Sequence, residues 1–447
     1  MAISPFAMWM LEQEARSLQT RLARVRPFAL IEPMVPAAAL LPAAQSAIER
    51  YLVLGRRELH DLVEGFLTWL RGARYSASAA QAQRRFTFVR LKFNATLTQF
   101  DLFNDVVTQR SEHENGVWLS GLDVVAADAL ELPGDYYRTP PVICYLDRGP
   151  GAAIRRARTR LPGGGESPVA IVRVPRERMV GSGIASSLIH EVGHQGAALL
   201  DLVNSLRPVL QGMQRNGGPQ AVVWQLWERW ISEIVADFWS VARVGVVATL
   251  GLIGVVSLPR VFVFRINADD PHPIPWIRVK LGCAMGKALY PHPQWDRLGR
   301  VWESFYPLDT LEPATRDLLA QLGASMPGFI SLLMHHRPRA LRGRSLVEAL
   351  GVEARQPARL ALLYRAWCRA PQRMYRAPPS LVFAVLGQAR ADGHVTPEDE
   401  SVVLAKLLTH WALRTTLDTT YMCADAAYHA RPVKATWQHL EHRLTFQ

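Results

Sequence analysis

Apolar residues recur three and four positions apart early in the chain. Ile48, Tyr51 and Leu52 are followed by Leu62-Val63, Phe66-Leu67 and Leu70, a spacing that lines one face of a helix. Pro33, Pro36 and Pro42 interrupt the stretch before it. Residues 1–115 are therefore expected to form a helical amino-terminal lobe. From about residue 116 the pattern shortens. The runs 141–146 (Pro-Val-Ile-Cys-Tyr-Leu) and 169–174 (Val-Ala-Ile-Val-Arg-Val) are β-rich and bounded by Pro and Gly, which predicts two strands suited to one small sheet. Gly181 and Gly183 precede a helix expected over about 185–203. Pro208 and Gly217-Gly218-Pro219 predict a connector, and a long helix follows over about 221–243. Its Trp224, Trp227, Ile231, Ile234, Val235 and Phe238 form an apolar face, with the tryptophans read as core. After residue 310 the helical spacing returns. The run 392–399 has the look of a calcium loop but lacks its alternating acidic ligands, so it reads as a turn before a helix capped by Thr396 with Pro397 in its first turn. The expected fold is mainly α with a small β-sheet, in three parts: a helical lobe over 1–115, a core over 116–310 and a helical lobe over 311–447.

Composition narrows the classes. An apolar content of 49% with 20% charged residues is enough for a full core and excludes a disordered chain. The net charge of +12 is carried mostly by Arg, with Lys only at 92, 280, 287, 406 and 434. No dense basic block interleaved with aromatics occurs, so a nucleic-acid partner is not expected. Cys144, Cys283, Cys368 and Cys423 stand alone without a CxxC pair, which fits buried thiols in a reducing compartment. Met1–Met10 lacks the basic start and apolar run of an export signal, and the expected location is the cytoplasm. The uncharged stretch from Val244 to Pro259 is shorter than the roughly 20 apolar residues of a spanning helix. It is read as a buried core helix, with membrane association the less favoured reading.

One constellation carries chemistry. Residues 190–194 read His-Glu-Val-Gly-His. Positions i and i+4 share a helical face, so His190 and His194 can turn both rings to one ion, and Glu191 stands beside it as a proton acceptor. A catalytic zinc takes three protein ligands and keeps one position open. Glu233, 39 residues beyond His194 on the next long helix, supplies the third. Asp237, four residues later on the same face, is placed to accept from a ligand histidine and fix its tautomer. Both carboxylates sit among Trp230, Ile231, Ile234, Val235 and Phe238, where a carboxylate needs a partner. Further on, His272 is held between Pro271 and Pro273, with Arg278 six residues after it. His272 is a candidate donor to an oxyanion and Arg278 a candidate buttress that pairs with a carboxylate. A rival His-Pro pair occurs at His292-Pro293.

The order HExxH, ExxxD, His-Pro and Arg resembles the gluzincin metallopeptidases, closest to the branch of the CAAX prenyl proteases and the bacterial heat-shock membrane peptidases. The resemblance covers roughly residues 168–280. It implies a zincin-type core holding one zinc ion on His190, His194 and Glu233. It further implies Glu191 as general base, Asp237 behind a ligand, His272 at the substrate and Arg278 in support. It also implies an edge strand just before the HExxH helix that a peptide substrate joins, and Pro168–Pro175 stands in that place. Members of that branch usually carry several membrane helices and this sequence does not, which argues against a prenylated substrate. The expected activity is hydrolysis of peptide bonds, internal ones rather than terminal ones, in a peptide or protein substrate. The alternative is a catalytically silent zinc-binding scaffold that acts through protein–protein contacts.

Overall fold

The computed structural model describes residues 2–73, 76–148, 151–176, 181–267 and 269–429. The described residues are mainly helical, at about twice the share in an ordinary globular protein, so helices form the frame and the sheet is a local device. Three long helices come first: α1 (Pro5–Arg24), α2 (Pro42–Gly72) and α3 (Ala79–Thr108). The Ser4 and Ser78 hydroxyls accept from Ala7 N and Gln81 N at the starts of α1 and α3. Leu11, Leu18, Leu59, Val63, Phe86 and Phe93 pack between the three. The far ends of α2 and α3 meet the sheet through Ile48, Phe103, Ile143 and Ile171.

Helix α4 (His113–Leu130) leads into the sheet strands β1 (Val142–Asp147), β2 (Ala153–Arg155) and β3 (Ala170–Pro175). Then come α5 (Ser182–Leu199), α6 (Leu202–Asn216), α7 (Ala221–Val244), α8 (Val246–Val256), α9 (Arg260–Val263), α10 (Pro275–Leu289) and α11 (Gln294–Phe305). The rest is helical: α12 (Pro313–His335), α13 (Leu346–Leu350), α14 (Pro357–Arg369), α15 (Gln372–Tyr375), α16 (Pro379–Ala391) and α17 (Pro397–His429). One apolar core runs from Leu119 on α4 to Trp411 on α17, with Trp227, Phe238 and Trp239 of α7 fully buried inside it. Thr396 caps α17 by accepting from Asp399 N, as the sequence predicts. Cys144 and Cys283 are buried, Cys368 is exposed and none is bridged; the Cys423 side chain lies outside the described residues.

The two predicted strands are neighbours, paired in parallel with Val142 opposite Ala170. The order is β1-β3-β2, however, so β3 is the central strand and Pro168–Pro175 is not an edge. The short β2, which the sequence pattern misses, pairs antiparallel with β3 and forms the edge instead. The other edge is sealed by side chains. Gln109 bonds both Leu146 N and Leu146 O, Arg110 donates to Cys144 O, and Asp123 accepts from Cys144 N. These bonds satisfy the backbone groups that an edge strand otherwise presents to another chain. No side chain among the described residues bonds the backbone of Ala153–Arg155 in that way.

Three further expectations are corrected. The helix expected over 185–203 ends at Leu199, because Asp201 turns left-handed (φ 52°) and α6 starts anew. Pro208 does not break the chain: it lies inside α6 on the exposed side, while Leu202, Leu206 and Leu210 anchor the buried face. The carbonyl that loses its helical partner belongs to the exposed Asn204, where water can take the bond, so packing outweighs the break. The apolar stretch from 244 forms the 11-residue α8 after Gly245 (φ 64°) ends α7, and its middle is only partly buried. One helix, α12, is long and apolar enough by length and composition to cross a membrane, and 39% of its most apolar window is buried within the protein.

Helix α5 lies unusually close to α7. A Cβ on Gly193 would stand 2.9 Å from the Ala236 backbone, and one on Gly196 would stand 2.5 Å from the Trp239 ring. In an open helix Gly→Ala gains about 1 kcal/mol, whereas overpacking costs roughly 1–3 kcal/mol. Gly196→Ala is therefore expected to lower stability in chemical denaturation, and a gain in stability would show that this contact is loose.

Candidate metal centre

His190 and His194 are one turn apart on α5, and their rings meet edge to face with centroids 4.8 Å apart. The close approach of α7 brings Glu233 between them: its Oε2 lies 3.3 Å from His190 Nε2 and its Oε1 3.3 Å from His194 Nε2. One ligand atom from each of the three residues falls within 4.8 Å of the others, so the group can hold a metal ion. The three side chains keep only 10–14% of their surface exposed.

Behind the ligands stands a charged layer. Asp237, one turn along α7 from Glu233, places Oδ1 2.8 Å from His190 Nδ1. The ring N–H does not aim straight along that line, so charge binds this pair more than a directed hydrogen bond. Arg278 at the start of α10 grips Asp237 from two nitrogens, Nε to Oδ2 at 2.6 Å and Nη2 to Oδ1 at 2.9 Å. Its Nη2 also lies 3.5 Å from Glu233 Oε2. The carboxylate partner that the sequence leaves open for Arg278 is therefore Asp237.

His272 lies in the loop before α10, half exposed, with Nε2 3.3 Å from Glu233 Oε2. Asp270 fixes this loop by accepting from both the His272 backbone N–H (2.9 Å) and Nδ1 (2.7 Å). Asp270 was not assigned a role from the sequence, although its spacing before Pro271-His272 was the available signal. Ser232 was missed as well; its hydroxyl reaches His194 Nδ1 at 3.5 Å. Glu191 is buried and lines a cavity of about 160 Å³ together with His190, Asp237, His272 and Arg278. His292 is not brought to this site: it sits at the start of α11, where its Nδ1 accepts from Gln294 N.

The charges hold one another ionised. Burial disfavours the Glu233 carboxylate, but its contacts with His190 and His194 outweigh that and hold it far below the usual range. Burial likewise raises Asp237, and Arg278 and then His190 pull it down, to about 2. For His190, burial lowers the value, while Asp237 and then Glu233 raise it, to about 9.

These shifts fix a pH dependence. A histidine whose folded value exceeds the unfolded value of about 6.5 adds stability fully below 6.5, and this is lost as pH rises through about 9. A divalent ion must displace the same proton. In chelator-treated protein, apparent metal affinity by calorimetric titration is expected to rise about tenfold per pH unit below about 9 and then to flatten. Affinity that is level from pH 7 to pH 9 would show that Asp237 and Glu233 do not raise His190 in the way described. Set against protein-family models, curated proteins and solved structures, the chain finds no match.

Proposed function

We propose that this chain is a zinc metallopeptidase with a gluzincin-type core, cutting internal bonds of a peptide or protein substrate. One observation carries the reading: Glu233 stands 3.3 Å from both imidazoles of an HExxH helix, and Glu191 lines a cavity together with His190. Four ligands at about 2.0–2.1 Å round a tetrahedral zinc are separated by about 3.3 Å, so the carboxylate–imidazole spacings suit that ion. The donor set, two neutral imidazoles and one carboxylate, also suits zinc. When bound, zinc supplies Lewis acidity, polarising a carbonyl and lowering the pKa of a water to about 7.

The chain's own residues do the rest. Glu191 takes the proton of the attacking water and returns it to the leaving amine. His272, oriented by Asp270, turns Nε2 toward the cleft, where in its protonated form it donates to the oxyanion of the attacked carbonyl. Asp237 and Arg278 keep the His190 ring and the Glu233 carboxylate from swinging away. The free edge of β2 is suited to receive the substrate as an added strand, and the neighbouring Gly151 and Ala152 line the cavity beside His190. Binding through an extended backbone favours internal bonds. Buried, unbridged Cys144 and Cys283 fit a reducing cytoplasm.

Glu191→Gln is expected to keep its zinc and to lose at least about a hundredfold in kcat/KM on a peptide library. His190→Ala is expected to lose both zinc and turnover. Metal analysis beside the cleavage assay checks both. Equal rates for Glu191→Gln and wild type would sink the general-base role. Zinc retained with no peptide cut by either protein would favour the scaffold.

A further inference from the structure

The opening helices carry a groove of their own. Helices α2 and α3 lie side by side, and each presents a strip of residues one turn apart. On α2 the strip is Asp61, Leu62, Gly65 and Trp69; on α3 it is Arg84, Arg85 and Phe88. Between the strips runs an open groove of about 560 Å³. Its floor is apolar. Phe66 and Val89 belong to the core of the three opening helices, and Leu62 and Trp69 pack against that core. A Cβ on Gly65 would meet nothing within 4 Å, so this glycine keeps the groove open and serves no close contact.

The α3 side differs from an ordinary solvated face. Phe88 is 65% exposed, and Leu91, on the next turn, is 63% exposed. From Ala79 to Phe100 the helix carries Arg84, Arg85, Arg90 and Lys92 and no carboxylate. Among the described residues no ion pair engages these four cations. The Arg85 guanidinium stands 4.2 Å from the centre of the Trp69 ring, so it forms part of the wall while its charge stays unneutralised. Asp61 is the one carboxylate among the lining residues described, and it lies 3.5 Å from the neighbouring His60.

This combination decides what fits. A bilayer surface receives a convex apolar face, whereas a slot between two helices leaves a void against lipid and is filled by side chains that reach in. The volume is several times the roughly 150 Å³ that holds one benzene ring, so about two or three large side chains enter together. Apolar anchors three and four residues apart on a partner helix have that arrangement. The rim sets the sign: Arg84 and Arg85 outnumber Asp61 and complement carboxylates on the flanks of such a helix. A second copy of this chain would bring its own net charge of +12, which opposes approach.

We propose that the α2–α3 groove is a docking site for an acidic amphipathic helix of a partner protein, whose aromatic or large aliphatic anchors rest on Phe66 and Trp69. Docking here does not depend on the peptidase reading, since the groove shares no residue with the cavity at the candidate metal centre. In the test, a display library of helix-forming peptides is selected on the full chain. The enriched peptides are titrated by fluorescence anisotropy into wild type, Gly65→Leu and the double variant Arg84→Glu/Arg85→Glu. They are expected to carry Asp and Glu beside large apolar residues three and four apart. Gly65→Leu fills the groove and replaces a helical glycine, so it is expected to keep the fold in thermal unfolding and to weaken binding at least about tenfold. The double charge reversal is expected to weaken binding by about the same factor, and added salt to weaken binding to wild type. Selection of no peptide, enrichment without acidic residues, or equal binding by wild type and Gly65→Leu overturns the site. Co-sedimentation with vesicles of phosphatidylserine and phosphatidylcholine that Gly65→Leu abolishes, with no acidic peptide bound, overturns it in favour of a bilayer. Self-association that Gly65→Leu abolishes, again with no acidic peptide bound, overturns it in favour of a second copy.

Discussion

Everything at the candidate metal centre depends on how closely α5 can lie against α7. Gly193 and Gly196 remove the side chains that would hold the helices apart, and Ala236 and Trp239 fill the space. The fully buried Trp239 also anchors to α4 through a bond from its indole N–H to Ala129 O, so the contact is tied into the main core. At this spacing a short carboxylate side chain bridges two imidazoles on the opposite helix. With a larger separation the same residues would be present and would not converge.

Convergence creates an electrostatic problem that the fold solves in layers. Glu233, Asp237, His190 and Arg278 are all nearly withdrawn from water, and each alone would resist ionisation there. Together they alternate in sign, so removing one strands its neighbours. This explains why Arg278 touches both carboxylates rather than one, and why the layer is built on packed helices rather than on loops. Only His272 and Asp270 come from a loop, and they are the exposed members of the group.

The parts legible in the sequence were those governed by local spacing. His190 and His194 at i and i+4, Asp237 one turn after Glu233, and Thr396 before Pro397 can be read because a helix fixes which positions share a face. Glu233 stood out as a carboxylate inside an apolar helix. The strand order was not legible, because the β pattern of 169–174 is the same for a central strand as for an edge. The three-residue β2 has no period long enough to register. Pro208 misled for a related reason: its break signal is local, while α6 is held by tertiary burial of Leu202, Leu206 and Leu210.

The side chains that satisfy β1 come from outside the sheet. Gln109 and Arg110 follow directly on α3, the last of the three opening helices, and Asp123 belongs to α4. The opening helices therefore act as a guard rail. If they detach, Leu146 and Cys144 regain bare amides and carbonyls, and the strand becomes a template on which a second molecule can grow. A displacement of the end of α3 that draws Gln109 and Arg110 off the strand would accordingly show itself as self-association before any change in the helices of the candidate metal centre.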